Sequence, residues 1–484
     1  MKLRTCICLL VGITFAACAR PTPEAQAVND AASALGGAER LQAVKTVAIE
    51  GEGTQYNLGQ DVVPGASGQT FTVTSYKRTI DVLAGRARTE LTRTPNFAYF
   101  LGPAPQRQIQ GIDGAIGYNV AANGTATRVA EAATTDRRSE VLRHPIVAVR
   151  VALEPASRLT NLRAEDGQSI VDVSTTDGRA FTLALDASTK LPTRVTTLAN
   201  HGNLGDVRIS TTFAGYQDVG GLQLPTRFTT KTDDFITLEV RVITQVVDAN
   251  PGDLAAPSAA ASAPVPVAPA PTVTVAEVSR GIWQLAGGSH RSVLVEFADR
   301  LVLIEAPQND ARTLAVIAKA RELRPGKPLT HVVNTHHHFD HSGGIRAAVS
   351  EGLTIFTHQG NAAFFEEVVK RPRTLVPDAL SKNPKPLKID GVAGEKVIAD
   401  DTMTMNVYEV GGEHSSTMLM AYFPRERLLV EADLYEPDEA LHVFAAGFLD
   451  EVKKRNLRID RIVSLHSNVA PYKQLLKDAG APMK

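Results

Sequence analysis

Beyond residue 18 this sequence of 484 residues contains no cysteine, because Cys6, Cys8 and Cys18 all fall at its start. That absence removes disulfide frameworks, thiol nucleophiles and thiolate metal ligands from nearly the whole chain, whatever the redox state of its compartment. An excess of charge is also missing. With 51 Lys and Arg against 52 Asp and Glu, no electrostatic footprint for nucleic acid is expected. The apolar run CICLLVGITFAA is too short to cross a bilayer as a helix. What remains, 43% hydrophobic and 21% charged, has the balance of a soluble globular protein, and the length predicts two or three domains that can each bury a core.

The run follows the basic start MKLR, so residues 1–27 read as an export signal and tether. Two endings compete. FAAC, Phe15 to Cys18, has the form of a bacterial lipoprotein box with Cys18 as the acylated residue, whereas AQA ending at Ala27 suits an ordinary signal peptidase. Small residues directly before the cysteine favour lipidation, although Phe15 stands where Leu is usual. The expected location is periplasmic, with the lipid anchoring the protein to the membrane and not spanning it.

Residues 249–272, an Ala/Pro run with almost no charge, are expected to form an extended, semi-rigid linker, since its prolines break helices and ladders alike. Before it, residues 28–248 read as β-rich. SIVDVSTT and RAFTLALD alternate apolar and polar residues on either side of Asp177-Gly178, a hairpin signature. LPTRVTT from Leu191 and LPTRFTT from Leu224 predict two similarly placed strands, and AASALGGAERLQAV predicts one amphipathic helix. After the linker, residues 273–484 mix buried strands (RLVLIEAP, THVVNT, LTIFTH, MTMNVYEV, TMLMAYFP, RLLVEADL) with helices over NAAFFEEVVKRP, EALHVFAAGFLDEVKKR and YKQLLKDAG. The fold class is α+β, with sheets covered by helices.

LTHVVNT runs straight into HHHFDHSGG, so four histidines and an aspartate leave a buried strand on one loop. His336 and His338 are spaced to share one side of an extended backbone, and Asp340 with His341 can turn to a second point. Imidazoles with a carboxylate suit zinc better than magnesium or calcium. His414, Asp433 and His466 each follow an apolar run at a similar loop position, and are expected to converge on the first cluster. A solvated polar loop is the competing reading. His337 should point away from its neighbours, and His290, His331, His358 and His442 are taken as structural or surface residues.

The pattern H-x-H-x-D-H, then His, then Asp, then His over residues 273–484 resembles the metallo-β-lactamase superfamily. The resemblance implies an αββα sandwich and two zinc ions per chain, one on His336, His338 and His414, the other on Asp340, His341 and His466, with Asp433 bridging. It further implies a bridging hydroxide as nucleophile, with Asp340 as the catalytic proton carrier. His466 stands in the run SLHS, with Ser464 and Ser467 near it, and Asp433 follows Ala432, where glycines are common in that family. Glu305 is read as a carboxylate holding a ligand imidazole or as a loop cap, and Tyr435 as an oxyanion donor or, more readily, as a structural tyrosine. Residues 28–248 resemble, through DASTKLPTRV and YQDVGGLQLPTRF, the open β-barrel of the LolA/LppX/RseB lipoprotein carriers and sensors; that implies either a greasy groove for lipid or lipoprotein or a scaffold.

Within the superfamily, the missing cysteine excludes the β-lactamases that place one at the second metal, and His338 disfavours the diiron flavoproteins. Export and neutral charge argue against nucleases. The expected function is hydrolysis of a small carbonyl substrate, an ester or lactone. The alternatives are β-lactam or thioester hydrolysis at the same site, a non-enzymatic envelope carrier of lipid or lipoprotein, and a mononuclear iron persulfide dioxygenase.

Overall fold

The computed structural model describes residues 20–100 and 102–482. The lipoprotein box and Cys18 lie outside the described residues, while Ala27 sits inside a helix, Pro23–Ala34. The single helix expected over AASALGGAERLQAV is two, Pro23–Ala34 and Ala38–Ala43. Gly36 and Gly37 break it with φ of 123° and 102°. A Cβ on Gly36 would stand 2.3 Å from the carbonyl oxygen of Gly221, so the break also lets another turn pack against it.

Thirteen antiparallel strands form one sheet in the N-terminal half, with its first strand, Thr46–Asn57, paired to its last, Phe235–Val247. The Asp177-Gly178 turn joins Gln168–Ser174 to Ala180–Asp186. The two echoed segments become Pro192–His201 and Arg227–Thr232, which flank the same strand, Gly205–Ala214. Val47, Val73, Val171, Leu183 and Val195 alternate onto one face and pack on Val28, Ala31, Ile146 and Val149 of two helices. Each such aliphatic side chain contributes about 1.5–3 kcal/mol when fully buried. The sheet's apolar face is therefore occupied by the protein's own helices. The Ala/Pro run is not wholly extended: Ser258–Ser262, between prolines, makes a short helix with Ala260 buried. Arg128 donates to the Ala263 carbonyl at 2.9 Å and Tyr118 to that of Leu254 at 3.4 Å, which lays the run along the sheet.

The C-terminal half has two facing sheets of seven and six strands. Val293, Val302, Val333, Met405, Ala421 and Val430 fill the space between them. Helices cover both outer faces, Asp310–Leu323, Ile345–Ser350 and Ala362–Lys370 on one, Ala445–Lys454 and Tyr472–Asp478 on the other. This is an αββα sandwich. Helix Asp310–Leu323, which the sequence patterns did not bring out, is started by Asn309, whose side chain accepts from the Arg312 N–H. The helix expected from Glu439 begins only at Ala445, because Phe444 packs against Tyr99 and His414 and draws the preceding residues toward the site.

The two halves dock on each other. Arg371 pairs with Asp233, and Arg373 donates to the carbonyls of Gly202 and Asn203 at 2.7 and 2.8 Å. Asp206 accepts from the Thr374 N–H at 2.7 Å.

Candidate metal centre

The candidate ligands stand on loops leaving the ends of buried strands, at one edge of the sandwich. Strand Leu329–Val333 delivers Thr335 to His341, Thr404–Glu409 leads to His414, Leu428–Glu431 to Asp433, and Arg461–Ser464 to His466. Strands Leu301–Ile304 and Leu329–Val333 are parallel neighbours, as are Leu428–Glu431 and Arg461–Ser464, so side chains far apart in sequence leave the sheets side by side. Asp433 has a φ of 61°, in the left-handed region. The buried Glu431 carboxylate holds that turn by accepting from the N–H groups of Leu434 and Tyr435 at 3.0 and 3.3 Å.

All seven residues of the ligand set come together. His336 Nε2 and His414 Nε2 are 3.3 Å apart, and each is 3.2 Å from Asp433 Oδ2; His338 completes this first cluster. In the second, His341 Nε2 is 2.8 Å from His466 Nε2, 3.0 Å from Asp433 Oδ2 and 3.7 Å from Asp340 Oδ2. Asp433 Oδ1 is 2.9 Å from His466 Nε2, so one carboxylate touches both clusters.

This donor set fits divalent cations. Burial, with neighbouring imidazoles adding to it, holds His336 and His338 well below the usual histidine range, so both are neutral and their lone pairs are free to coordinate. Asp433 Oδ2 is buried without a hydrogen-bond donor of its own, an arrangement costly in the absence of a compensating charge. Tetrahedral ligands about 2.0–2.1 Å from zinc lie about 3.3–3.4 Å from each other, close to the spacings found here. His338 donates from Nε2 to the Asp61 carbonyl at 2.8 Å, which leaves Nδ1 for the cluster.

Glu305, wholly buried, accepts from Nδ1 of His341 at 2.9 Å and from the hydroxyl of Thr335. It therefore orients the imidazole of a candidate ligand. Tyr435 does not face the clusters: its hydroxyl donates to Asp478 at 2.8 Å, so it braces the last helix and gives no oxyanion contact. His337 turns away toward Ser415 and Thr417 and packs on Phe364. His442 is buried, as the structural reading expects. His290, taken as structural or surface, is buried beside the second cluster, with its Nε2 3.2 Å from Asp340 Oδ2.

The N-terminal half supplies further groups. Gln60 donates to Asp340 Oδ1 at 2.9 Å, and the Phe339 N–H donates to the Gly59 carbonyl at 3.1 Å. Gly59, with φ of 85°, lies so close to the Phe339 ring that a Cβ would overlap it. Tyr99 and Phe444 both pack on His414, with ring centroids 5.4 and 5.2 Å away, forming an aromatic wall from both halves. Burial, opposed by His466 and aided by Asp433, pushes the Glu436 carboxyl up to about 7. No local pattern marks Gln60, Asp61 or Tyr99 in sequence. His290 carried one faint signal, its place after a Gly-Gly turn at a strand start.

Residues 285–458 match the metallo-beta-lactamase superfamily. The match lies within the C-terminal half and leaves most of the chain outside it. Similar solved structures include TMB-1 (16% identity, 43% of this chain and 95% of that one, TM-score 0.33). Others are the stereoselective inverting sec-alkylsulfatase Pisa1 from Pseudomonas sp. (19%, 43% and 41%, 0.33) and a metallo beta lactamase from Hirschia baltica (19%, 44% and 99%, 0.33). No curated protein matches the chain.

Proposed function

We propose that this chain is an exported, zinc-dependent hydrolase of an ester or lactone bond. The observation that carries this reading is the pair of donor clusters joined by Asp433. His336, His338 and His414 would hold one cation; Asp340, His341 and His466 the other. Two such cations supply Lewis acidity and allow water to act as a nucleophile near neutral pH.

The protein's own groups do the rest. Glu305 fixes the His341 ring and the Asp61 carbonyl fixes that of His338. Gln60 donates to Asp340 Oδ1 and so orients this carboxylate, which would carry a proton from water to the leaving oxygen. Tyr99 and Phe444 form an aromatic wall beside His414, which favours a substrate with an apolar acyl part. The N-terminal half acts by building this wall and roof; its sheet already uses its apolar face for its own helices, which disfavours a lipid-carrying role. Export rests on the leader and its Cys18 box.

The test is a hydrolysis panel of esters, lactones, thioesters and β-lactams, run on the full chain with chelator and zinc add-back. Zinc-restored turnover of an ester or lactone with an apolar acyl group is expected. Turnover confined to β-lactams or thioesters would replace the substrate class, and no turnover of any member would reject hydrolysis of carbonyl bonds.

A further inference from the structure

Accepting the two-cation reading, we propose that His290 is an additional protein ligand of the second cation, beside Asp340, His341 and His466. Four donor atoms from these residues gather in one place. His290 Nε2 is 3.2 Å from Asp340 Oδ2, and His466 Nε2 is 3.9 Å from the same oxygen. The His290 ring lies 4.1 Å from that of His466 and 5.1 Å from that of His341, centroid to centroid. The two atom-to-atom distances, 3.2 and 3.9 Å, bracket the ligand-to-ligand edge of about 3.3–3.4 Å expected around a tetrahedral zinc.

The rest of the residue is built like a ligand. Its other ring nitrogen, Nδ1, faces away from the cluster onto Ser289 Oγ at 2.9 Å, a hydroxyl oxygen that can accept its N–H, the outward hydrogen bonding that fixes the ring of a metal-bound histidine. Its backbone is held too. Arg312 donates to the His290 carbonyl at 3.3 Å, and the next N–H, that of Arg291, donates to Leu465 at 2.9 Å, which locks this strand end beside His466. The side chain is buried, so Nε2 has the cluster and not solvent before it.

A consequence follows for the substrate. With His290, the second cluster offers three imidazoles, Asp340 and a share of Asp433, a nearly closed set. The first offers three imidazoles and the other share of Asp433. Structural cations are enclosed and catalytic ones keep an open position, so the cluster of His336, His338 and His414, with one donor fewer and beside Tyr99 and Phe444, would be the more open of the two to a substrate oxygen.

Zinc-soaked crystals of the full wild-type chain, with anomalous scattering recorded at the zinc edge, test this directly. The expected result is two peaks, one of them about 2.0–2.1 Å from His290 Nε2. A zinc held by Asp340, His341 and His466 but more than about 3 Å from His290, a distance beyond any Zn–N bond, would overturn the inference and leave the two-cation reading intact. No zinc in either cluster would overturn both. In solution, chelator competition on His290→Ala should show one of two zinc ions bound at least about tenfold more weakly. His290→Gln should be equally weakened; full affinity in that variant would show that His290 only hydrogen-bonds Asp340.

Discussion

The carbonyl oxygen of Asp61 accepts a hydrogen bond from Nε2 of His338 at 2.8 Å. A loop in the N-terminal half thereby fixes the ring of a residue in the C-terminal cluster, and Gln60 does the same for Asp340. The candidate centre is therefore composite.

Replacing residues 58–62 with a flexible Gly/Ser segment of equal length should weaken metal binding by about 10–100-fold, the usual effect of losing groups that orient ligands. Chelator competition followed by metal analysis measures it. Unchanged affinity would mean that the loop merely lies over the site.

Asp340→Asn should lower the turnover number by about 10²–10⁴-fold, the contribution expected of a proton carrier. Steady-state kinetics at saturating zinc checks this, with circular dichroism confirming the fold.

Glu305→Gln exchanges the acceptor facing His341 Nδ1 and Thr335 for an amide that brings an N–H₂ group into a buried, donor-rich place. Zinc affinity should fall about tenfold or more, and the melting temperature of the zinc-free protein should fall as well.

Tyr435→Phe removes only the bond to Asp478. About 0.5–1.5 kcal/mol of stability should be lost with turnover unchanged, as denaturant titration and kinetics would report. A large loss of turnover would restore the oxyanion reading.

Docking of the two halves should depend on pH through His201. Burial, reinforced by Arg373 and Arg371, lowers its pKa to about 4, and its Nδ1 accepts from the N–H groups of Asn203 and Leu204 at 3.2 Å. The folded form keeps this ring neutral where the unfolded chain, near 6.5, takes a proton. Stability contributed by the neutral ring is thus complete above pH 6.5 and declines as pH falls toward 4, at no more than about 1.4 kcal/mol per pH unit. His201→Gln should flatten that slope in urea titrations across the same range.

Much of the C-terminal site was legible because its chemistry is local. THHHFDH brings ligands for both clusters in one stretch, and His414, Asp433 and His466 each end an apolar run, as strand-end residues do. Sheets covered by helices follow from the same runs, whereas the αββα order was an implication of the superfamily resemblance. Other features depended on distance. Nothing near Gln60 or Tyr99 hints that a loop from another sheet will cover the clusters, because that contact is set by docking through Arg371 and Asp233. His290 looked isolated because its neighbours Asp340 and His466 are far along the chain. The helix expected from Glu439 starts late for a similar reason: helical spacing favours it, but packing of Phe444 on Tyr99 and His414 overrides local preference.

Metal content of freshly purified full-length protein, paired with hydrolase activity before and after exhaustive chelation, bears most directly on the central claim. Two zinc ions per chain are expected, with activity vanishing as they are removed and returning on add-back. One iron per chain, or hydrolysis that persists in metal-free protein, would contradict it.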